Sequence, residues 1–230
     1  MSPFDPLFDD LPGHLPVFPL SGVLLLPRGR LPLNIFEPRY LNMVWDALAP
    51  PRMIGMIQPA EALAEAGETD PVLYGTGCAG RITQFEETGD GRFGLNLLGV
   101  CRFDIVEEAA QQNGYRRCAV NWSRYAEDMV APGSEGSIQG REEIRTFDRN
   151  RLRPPLELYF KQRDIDANWD AIEKLDDDRL INTIAMLCPF AASEKQALLE
   201  APNQTQRGDL LLAILEMASM GNGDDNITRQ

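Results

Sequence analysis

The chain has one histidine, His14, and only three lysines, Lys161, Lys174 and Lys195, among 22 basic residues set against 35 acidic ones. These scarcities remove whole classes of chemistry. A lone histidine leaves no second imidazole for a shared metal site. It also means that a histidine-based serine or cysteine triad would have to be built on His14, beside a proline-rich lead-in. No lysine follows a glycine, so the G-x-x-x-x-G-K-[ST] phosphate loop is missing. The formal net charge of −13 repels a phosphate backbone and argues against nucleic-acid binding over a broad surface, leaving Arg116, Arg117 and Arg124 as a local basic group. Four cysteines, Cys78, Cys101, Cys118 and Cys188, show neither close pairing nor metal-ligand spacing. They read as small buried apolar residues with reduced thiols, which makes a cytoplasmic location the expectation. No apolar run approaches membrane-spanning length, and the start MSPFDPLFDDLPG lacks the basic and apolar segments of a signal peptide.

What the chain does have is a dense apolar stretch from Leu15 to Tyr40, LPVFPLSGVLLLPRGRLPLNIFEPRY, punctuated by Pro16, Pro19, Pro27, Pro32 and Pro38. Proline has no N–H for a ladder, so it belongs at strand starts, edges and bends. The spacing predicts short strands at Leu15–Leu20, Val23–Leu26 and Leu31–Ile35, with corners at Ser21-Gly22 and Pro27-Arg28-Gly29. Pro38 suits the first position of a helix, along which Tyr40, Val44, Trp45 and Leu48 recur at helical spacing until Pro50-Pro51. Arg52–Ile57 reads as a buried strand and Glu61–Asp70 as a surface loop or short helix. Leu73–Glu86 and Arg92–Glu108 are strands joined by an Asp90-Gly91 hairpin, with Gly99 marking a bulge, and Tyr115–Tyr125 is the last strand. Together these predict a small closed or half-closed barrel over residues 13–126.

The Gly- and Ser-rich APGSEGSIQG at Ala131–Gly140 marks a linker, assigned to residues 127–140. Beyond it a helical bundle is expected over residues 141–222. Ile144 and Phe147 would face inward from Arg141–Arg151, and Pro154-Pro155 would interrupt or restart that helix before Leu156–Arg163. Asp176 is the cap of a helix whose stripe is Leu180, Ile181, Ile184, Leu187 and Cys188. Ser193-Glu194-Lys195-Gln196 has the form of a capping box. The last helix, about Gln206–Met220, would pack Leu210, Leu211, Ile214, Leu215 and Met217. The fold class is therefore α+β.

The search for a catalytic centre returns nothing. Gly75-Thr76-Gly77-Cys78-Ala79-Gly80 matches G-x-G-x-x-G as a string, yet strand follows it where a dinucleotide site needs a helix N-terminus. Its glycines read as places where barrel strands cross closely. The carboxylate runs Asp176-Asp177-Asp178 and Glu86-Glu87 fall where solvated caps and turns are expected. Ser193 and Lys195 lie two apart on a helix start and point to different sides. No catalytic, cofactor-binding or metal-ligating residue is assigned.

The Leu15–Tyr40 string resembles the opening signature of the Lon N-terminal, or Lon substrate-binding, domain. LYGTGCAGRITQFEE, LLGVCRFDIVEE and YRRCAVNW resemble that family's later strands in order, and NTIAMLCPFAASEKQALLEAP with LLLAILEMA resembles its helical part in bacterial stand-alone members. The resemblance spans about Leu15 to Met220. It implies a PUA-like pseudo-barrel followed by a helical bundle, without the ATPase and Ser–Lys peptidase modules of full Lon proteases. It further implies a non-catalytic module that binds unfolded or peptide-like polypeptide segments, as an adaptor or regulator working with a separate ATP-dependent protease. Candidate contact residues are Leu24, Leu26, Leu33, Phe36 and Tyr40, with the alternative that all five are core. Glu37 and Arg39 are candidates for a structural corner. The competing functional readings are an RNA-binding PUA-like protein and a hydrolase with an unrecognised carboxylate site.

Overall fold

The computed structural model describes residues 6–60, 71–130 and 147–221. Six strands carry the first half: β1 (His14–Pro19), β2 (Arg30–Ile35), β3 (Met53–Ile57), β4 (Thr76–Glu87), β5 (Phe93–Gln112) and β6 (Tyr115–Asn121). Their order is β2-β5-β4-β3-β1-β6, and β5 also pairs with β6. That extra pairing closes the sheet, because the long β5 gives its first half to β2 and β4 and its second half to β6. The result is a small barrel with one attached strand, β2, at the end where the β4–β5 hairpin projects. All pairings are antiparallel except that of β1 with β3.

Two glycines show why the strands can wrap so tightly. A Cβ on Gly77 would stand 2.5 Å from the Phe103 ring, which fills the barrel interior. A Cβ on Gly99 would stand 2.0 Å from the Leu26 carbonyl oxygen. The β4–β5 register slips beside Gly99, with Gly80 opposite Gly99 but Ala79 opposite Cys101, so the bulge lies where the sequence places it. The G-x-G-x-x-G string is thus strand, with two of its glycines, Gly77 and Gly80, in close contact with core side chains.

Val23–Leu26 is not a strand. It is an irregular segment whose Leu24, Leu25 and Leu26 are fully buried, packed into the core that sheet and helices share rather than extending the sheet. The backbone just beyond it is satisfied by Gly99: Arg28 N–H donates to the Gly99 carbonyl and Gly99 N–H to the Gly29 carbonyl, both at 2.8 Å. Apolar density alone does not distinguish such a packed irregular segment from a strand. Helix α1 (Pro38–Ala47) has Pro38 in its first turn and turns Tyr40, Met43, Val44 and Ala47 inward.

The second half holds α2 (Arg149–Gln162), α3 (Trp169–Glu173), α4 (Asp177–Leu187), α5 (Ala192–Glu200) and α6 (Gln204–Gly221). The predicted loop at 61–70, the Gly/Ser stretch and Ile144 lie outside the described residues. Helix α2 runs through Pro154 and Pro155 without a break, held by the buried Leu152, Leu156, Tyr159 and Phe160. Asp176 caps α4, its carboxylate accepting from Arg179 N–H at 2.9 Å. Leu187, however, is 77% exposed at the edge of the stripe in the last turn of α4, and Met217 is 61% exposed on α6. The α5 box is one-sided: Glu194 accepts from Ala191 N–H at 2.7 Å, while Ser193 lies inside the first turn.

Barrel and helices share one core, in which Leu25, Ile54, Cys78 and Leu97 belong to the same cluster as Leu156, Ile184, Leu198 and Leu211. Buried polar groups stitch the junction. Gln58 donates to the Ala192 carbonyl at 3.0 Å, Gln196 to the Thr76 carbonyl at 3.1 Å, and the Lys195 ammonium to the Gly22 carbonyl at 2.8 Å. Gln58, Lys195 and Gln196 are themselves buried, and these bonds satisfy their own polar groups.

Candidate functional site

The structure divides the five candidate contact residues. Leu24, Leu26 and Tyr40 are 2%, 0% and 6% exposed, so they belong to the core and offer nothing to a partner. Leu24 and Leu26 pack into the core shared by sheet and helices, and Tyr40 tilts against Phe18 with ring centres 4.3 Å apart. Leu33 is half-buried on β2, and Phe36 is 61% exposed where β2 hands over to α1. Glu37 and Arg39 pair at the same corner, Arg39 Nε donating to Glu37 Oε2 at 3.1 Å, with the guanidinium over the Tyr40 ring.

Phe36 and Arg92 flank the Ile35–Phe93 pair on the opposite face of the sheet, and the face that bears Phe93 has an aromatic group of its own. Trp45, on α1, is 60% exposed and stacks on Phe93 with ring centres 6.3 Å apart, and Phe93 meets Phe85 edge-on at 5.0 Å. The sheet register explains the grouping. Leu33, Leu95 and Phe85 are opposite one another, as are Ile35, Phe93 and Glu87, so both rows share one face of the projecting hairpin. Leu95 and Ile35 are the buried members of these two rows, while Phe85 and Phe93 are half-buried and Trp45 of α1 lies against Phe93. Arg92 lies 5.6 Å over the Phe36 ring.

Helix α1 is pinned in this position. The Asp46 carboxylate accepts from Tyr115 Oη at 2.8 Å and from Gln112 Nε2 and Asn113 Nδ2 at 3.0 Å. These donors come from the β5–β6 hairpin, whose Asn113 and Gly114 have φ of 49° and 85°, the left-handed pair a tight hairpin needs. Sequence reasoning passed over Trp45, Phe85 and Phe93 as contact residues. The signal for Trp45 was in the helical phase, since the stripe Tyr40, Val44, Ala47 leaves residue 45 at its margin.

The other candidates resolve into structural roles. Arg116 forms a two-pronged pair with Glu108, its Nε donating to Oε2 at 3.0 Å, and Arg124 lies 3.6 Å from Asp104. Two of the three local arginines are therefore already matched by carboxylates, a poor arrangement for phosphate. A cavity of about 300 Å³ opens beside α2 and α3, lined by Leu152, Leu156, Trp169 and Ile172. Its arginines are engaged: Arg149 donates to the Ile172 and Leu175 carbonyls at 2.7 and 2.5 Å, and Arg153 to Glu157 at 2.7 Å. All four cysteines are buried and free. Burial pushes the thiols of Cys101 and Cys188 up to about 12 and that of Cys118 up to about 11, away from the thiolate a nucleophile requires. Among the described residues no His, Cys, Asp and Glu group is placed to hold a metal ion. No helix among them is long and apolar enough to cross a membrane.

Comparison with known proteins gives one family throughout. The family model of the ATP-dependent protease La (LON) substrate-binding domain matches residues 14–217. Lon protease 2 of Myxococcus xanthus is 26% identical over 228 residues, covering 96% of this chain and 26% of its own length. Lon protease of Escherichia coli K12 is 27% identical over 209 residues, covering 88% and 24%. The chain thus spans about a quarter of the length of the curated relatives it matches. Among solved structures, a Lon N-terminal domain protein from Xanthomonas campestris superposes with a TM-score of 0.55 at 25% identity, covering 87% of this chain and 97% of that one. The N-terminal domain of Mycobacterium avium complex Lon protease superposes equally well at 15% identity, a likeness of fold.

Proposed function

The chain belongs to the ATP-dependent protease La (LON) substrate-binding domain family, and on that ground we propose that it binds unfolded or peptide-like polypeptide segments through the aromatic surface at the α1 end of its barrel. The observation that carries this reading is Trp45, 60% exposed and stacked on the half-buried Phe93 with Phe85 and Leu33 on the same face, while Phe36, 61% exposed, stands open at the strand-to-helix corner on the other face. Large aromatic side chains gathered on a surface are held there at a cost in solubility, and they supply contact area at small loss of side-chain entropy. In this reading the β unit, residues 13–126, makes the contact and the helical unit, residues 141–222, fixes it in place. The chain itself cleaves nothing; it serves as an adaptor or regulator for a separate ATP-dependent protease in the cytoplasm.

The test is fluorescence anisotropy with a labelled, reduced and alkylated polypeptide. Phe36→Ala with Trp45→Ala should weaken binding by roughly tenfold or more, since burying two large rings is worth more than the ~1.4 kcal/mol that a factor of ten represents. Thermal unfolding should scarcely move, because neither ring is buried. A wild-type protein with no affinity for the unfolded polypeptide, or a double variant that binds as well as wild type, would end the proposal.

A further inference from the structure

The aromatic surface carries charge of one sign that nothing on the described residues neutralises. Glu87 lies opposite Phe93 in the β4–β5 register, two residues from Phe85 along β4, so its carboxylate shares the face that bears both rings. Glu86 follows Phe85 on the opposite face of the same strand end. Both are exposed, and among the described residues neither has an ion pair. The two guanidiniums at this end are engaged: Arg39 meets Glu37 at 3.1 Å and Arg92 meets Asp90 at 3.0 Å. The hairpin end therefore presents an uncompensated carboxylate on each face, Glu87 on that of Phe85 and Phe93 and Glu86 on the other, on a chain of net charge −13.

We infer that the segments this surface selects are those in which a bulky apolar side chain is neighboured by lysine or arginine, and that segments flanked by acidic residues are rejected. The inference rests on the polypeptide-binding reading and specifies its substrate class. Physical complementarity runs three ways. A cation beside the anchoring ring meets Glu87 on the same face, while Glu86 adds its charge from the other face of the strand end. The same cation can lie over the solvent-facing side of Trp45, whose other face is taken by Phe93. At longer range the acidic field draws basic segments in and repels acidic ones before contact. Specificity of this kind comes as much from the repulsion of the wrong segment as from attraction of the right one.

The experiment uses three labelled peptides with an identical Leu-Phe-Trp-containing centre, flanked by lysine pairs, glutamine pairs or glutamate pairs. Each is titrated against the full chain as wild type, as Glu86→Gln with Glu87→Gln, and as Phe36→Ala with Trp45→Ala. The expected order is lysine tighter than glutamine tighter than glutamate, with about tenfold or more between the extremes at low salt. That spread should shrink to about threefold or less in the double glutamine variant and in moderate salt. Equal binding of the lysine and glutamate peptides overturns the inference, and so does a spread that persists in the double glutamine variant. If all three peptides bind wild type alike and all are lost with Phe36 and Trp45 removed, the polypeptide reading stands and the charge selection falls. If none binds, both fall.

Discussion

Arg102 and Asp128 meet in a buried two-pronged pair, Nε donating to Oδ2 at 2.9 Å and Nη2 to Oδ1 at 2.8 Å, with side chains 4% and 10% exposed. The remaining guanidinium nitrogen, Nη1, donates to the Leu199 and Ala201 carbonyls at 2.9 and 2.6 Å. A residue of strand β5 thereby satisfies carbonyls at the C-terminal end of helix α5, which the helix cannot satisfy itself. The pair locks barrel and bundle together at a point remote from the aromatic surface.

Breaking that lock should be expensive. Arg102→Ala strands the Asp128 carboxylate and two helix carbonyls, and is expected to lower stability by about 3–5 kcal/mol. Asp128→Asn keeps one acceptor and should lose less. Urea unfolding followed by circular dichroism gives both values; a loss below ~1 kcal/mol for Arg102→Ala would show that the pair does not hold the two halves together.

Gly99 and Gly94 make a matched contrast on one strand. Gly99→Ala drives a methyl group against the Leu26 carbonyl and should destabilise by about 3 kcal/mol, at the upper end of what overpacking costs. A methyl group on Gly94 would meet nothing within 4 Å, so Gly94→Ala should stay within ~0.5 kcal/mol of wild type. Equal melting temperatures for the two variants would contradict the close approach of Leu26.

The thiols should be inert in the native state. With Cys78 and the three other cysteines buried and their titration moved upward by desolvation, a thiol-specific disulfide reagent at mildly alkaline pH should find almost none of the four reactive. All four should react once guanidinium chloride unfolds the chain. Rapid native-state labelling of even one would place it on the surface.

Tyr115 supplies a pH dependence with a definite sign. Burial, assisted by its hydrogen bond to Asp46, pushes its phenol from 10.0 up to about 12. A folded-state value above the unfolded one means that the stabilising contribution is whole below pH 10 and is lost as pH rises toward about 12. Tyr115→Phe should therefore be less stable than wild type at neutral pH, and the difference should narrow across that alkaline window. Parallel stability curves for the two proteins would show that the phenol is not held by Asp46.

Much of the architecture was readable because it depends on neighbours in sequence. Asp176 caps its helix and Asp90-Gly91 turns its hairpin through contacts a few residues long, and Pro38 starts α1 for reasons confined to its own backbone. The Leu15–Tyr40 string identified the family for the same reason: its prolines and apolar residues stand in a characteristic order. The misreadings all concern what a residue meets far along the chain. Leu24 and Leu26 stand as contact or core residues in the sequence, and only packing against distant strands and helices decides for core. Pro154 and Pro155 read as a break until the packed face of α2 outweighs two missing backbone donors.

By itself, the sequence determined that this is an acidic α+β chain with one histidine, no phosphate loop and a family-specific apolar opening. Only the tertiary structure decided which apolar residues remain in water. Packing of the sheet against the helices buries Leu24, Leu26 and Tyr40, while α1, held by Asp46, leaves Trp45 outside against Phe93, and the strand-to-helix corner leaves Phe36 open. Burial is a property of the assembled surface, and composition or local spacing cannot specify it, because a side chain's exposure depends on elements that approach from elsewhere in the chain.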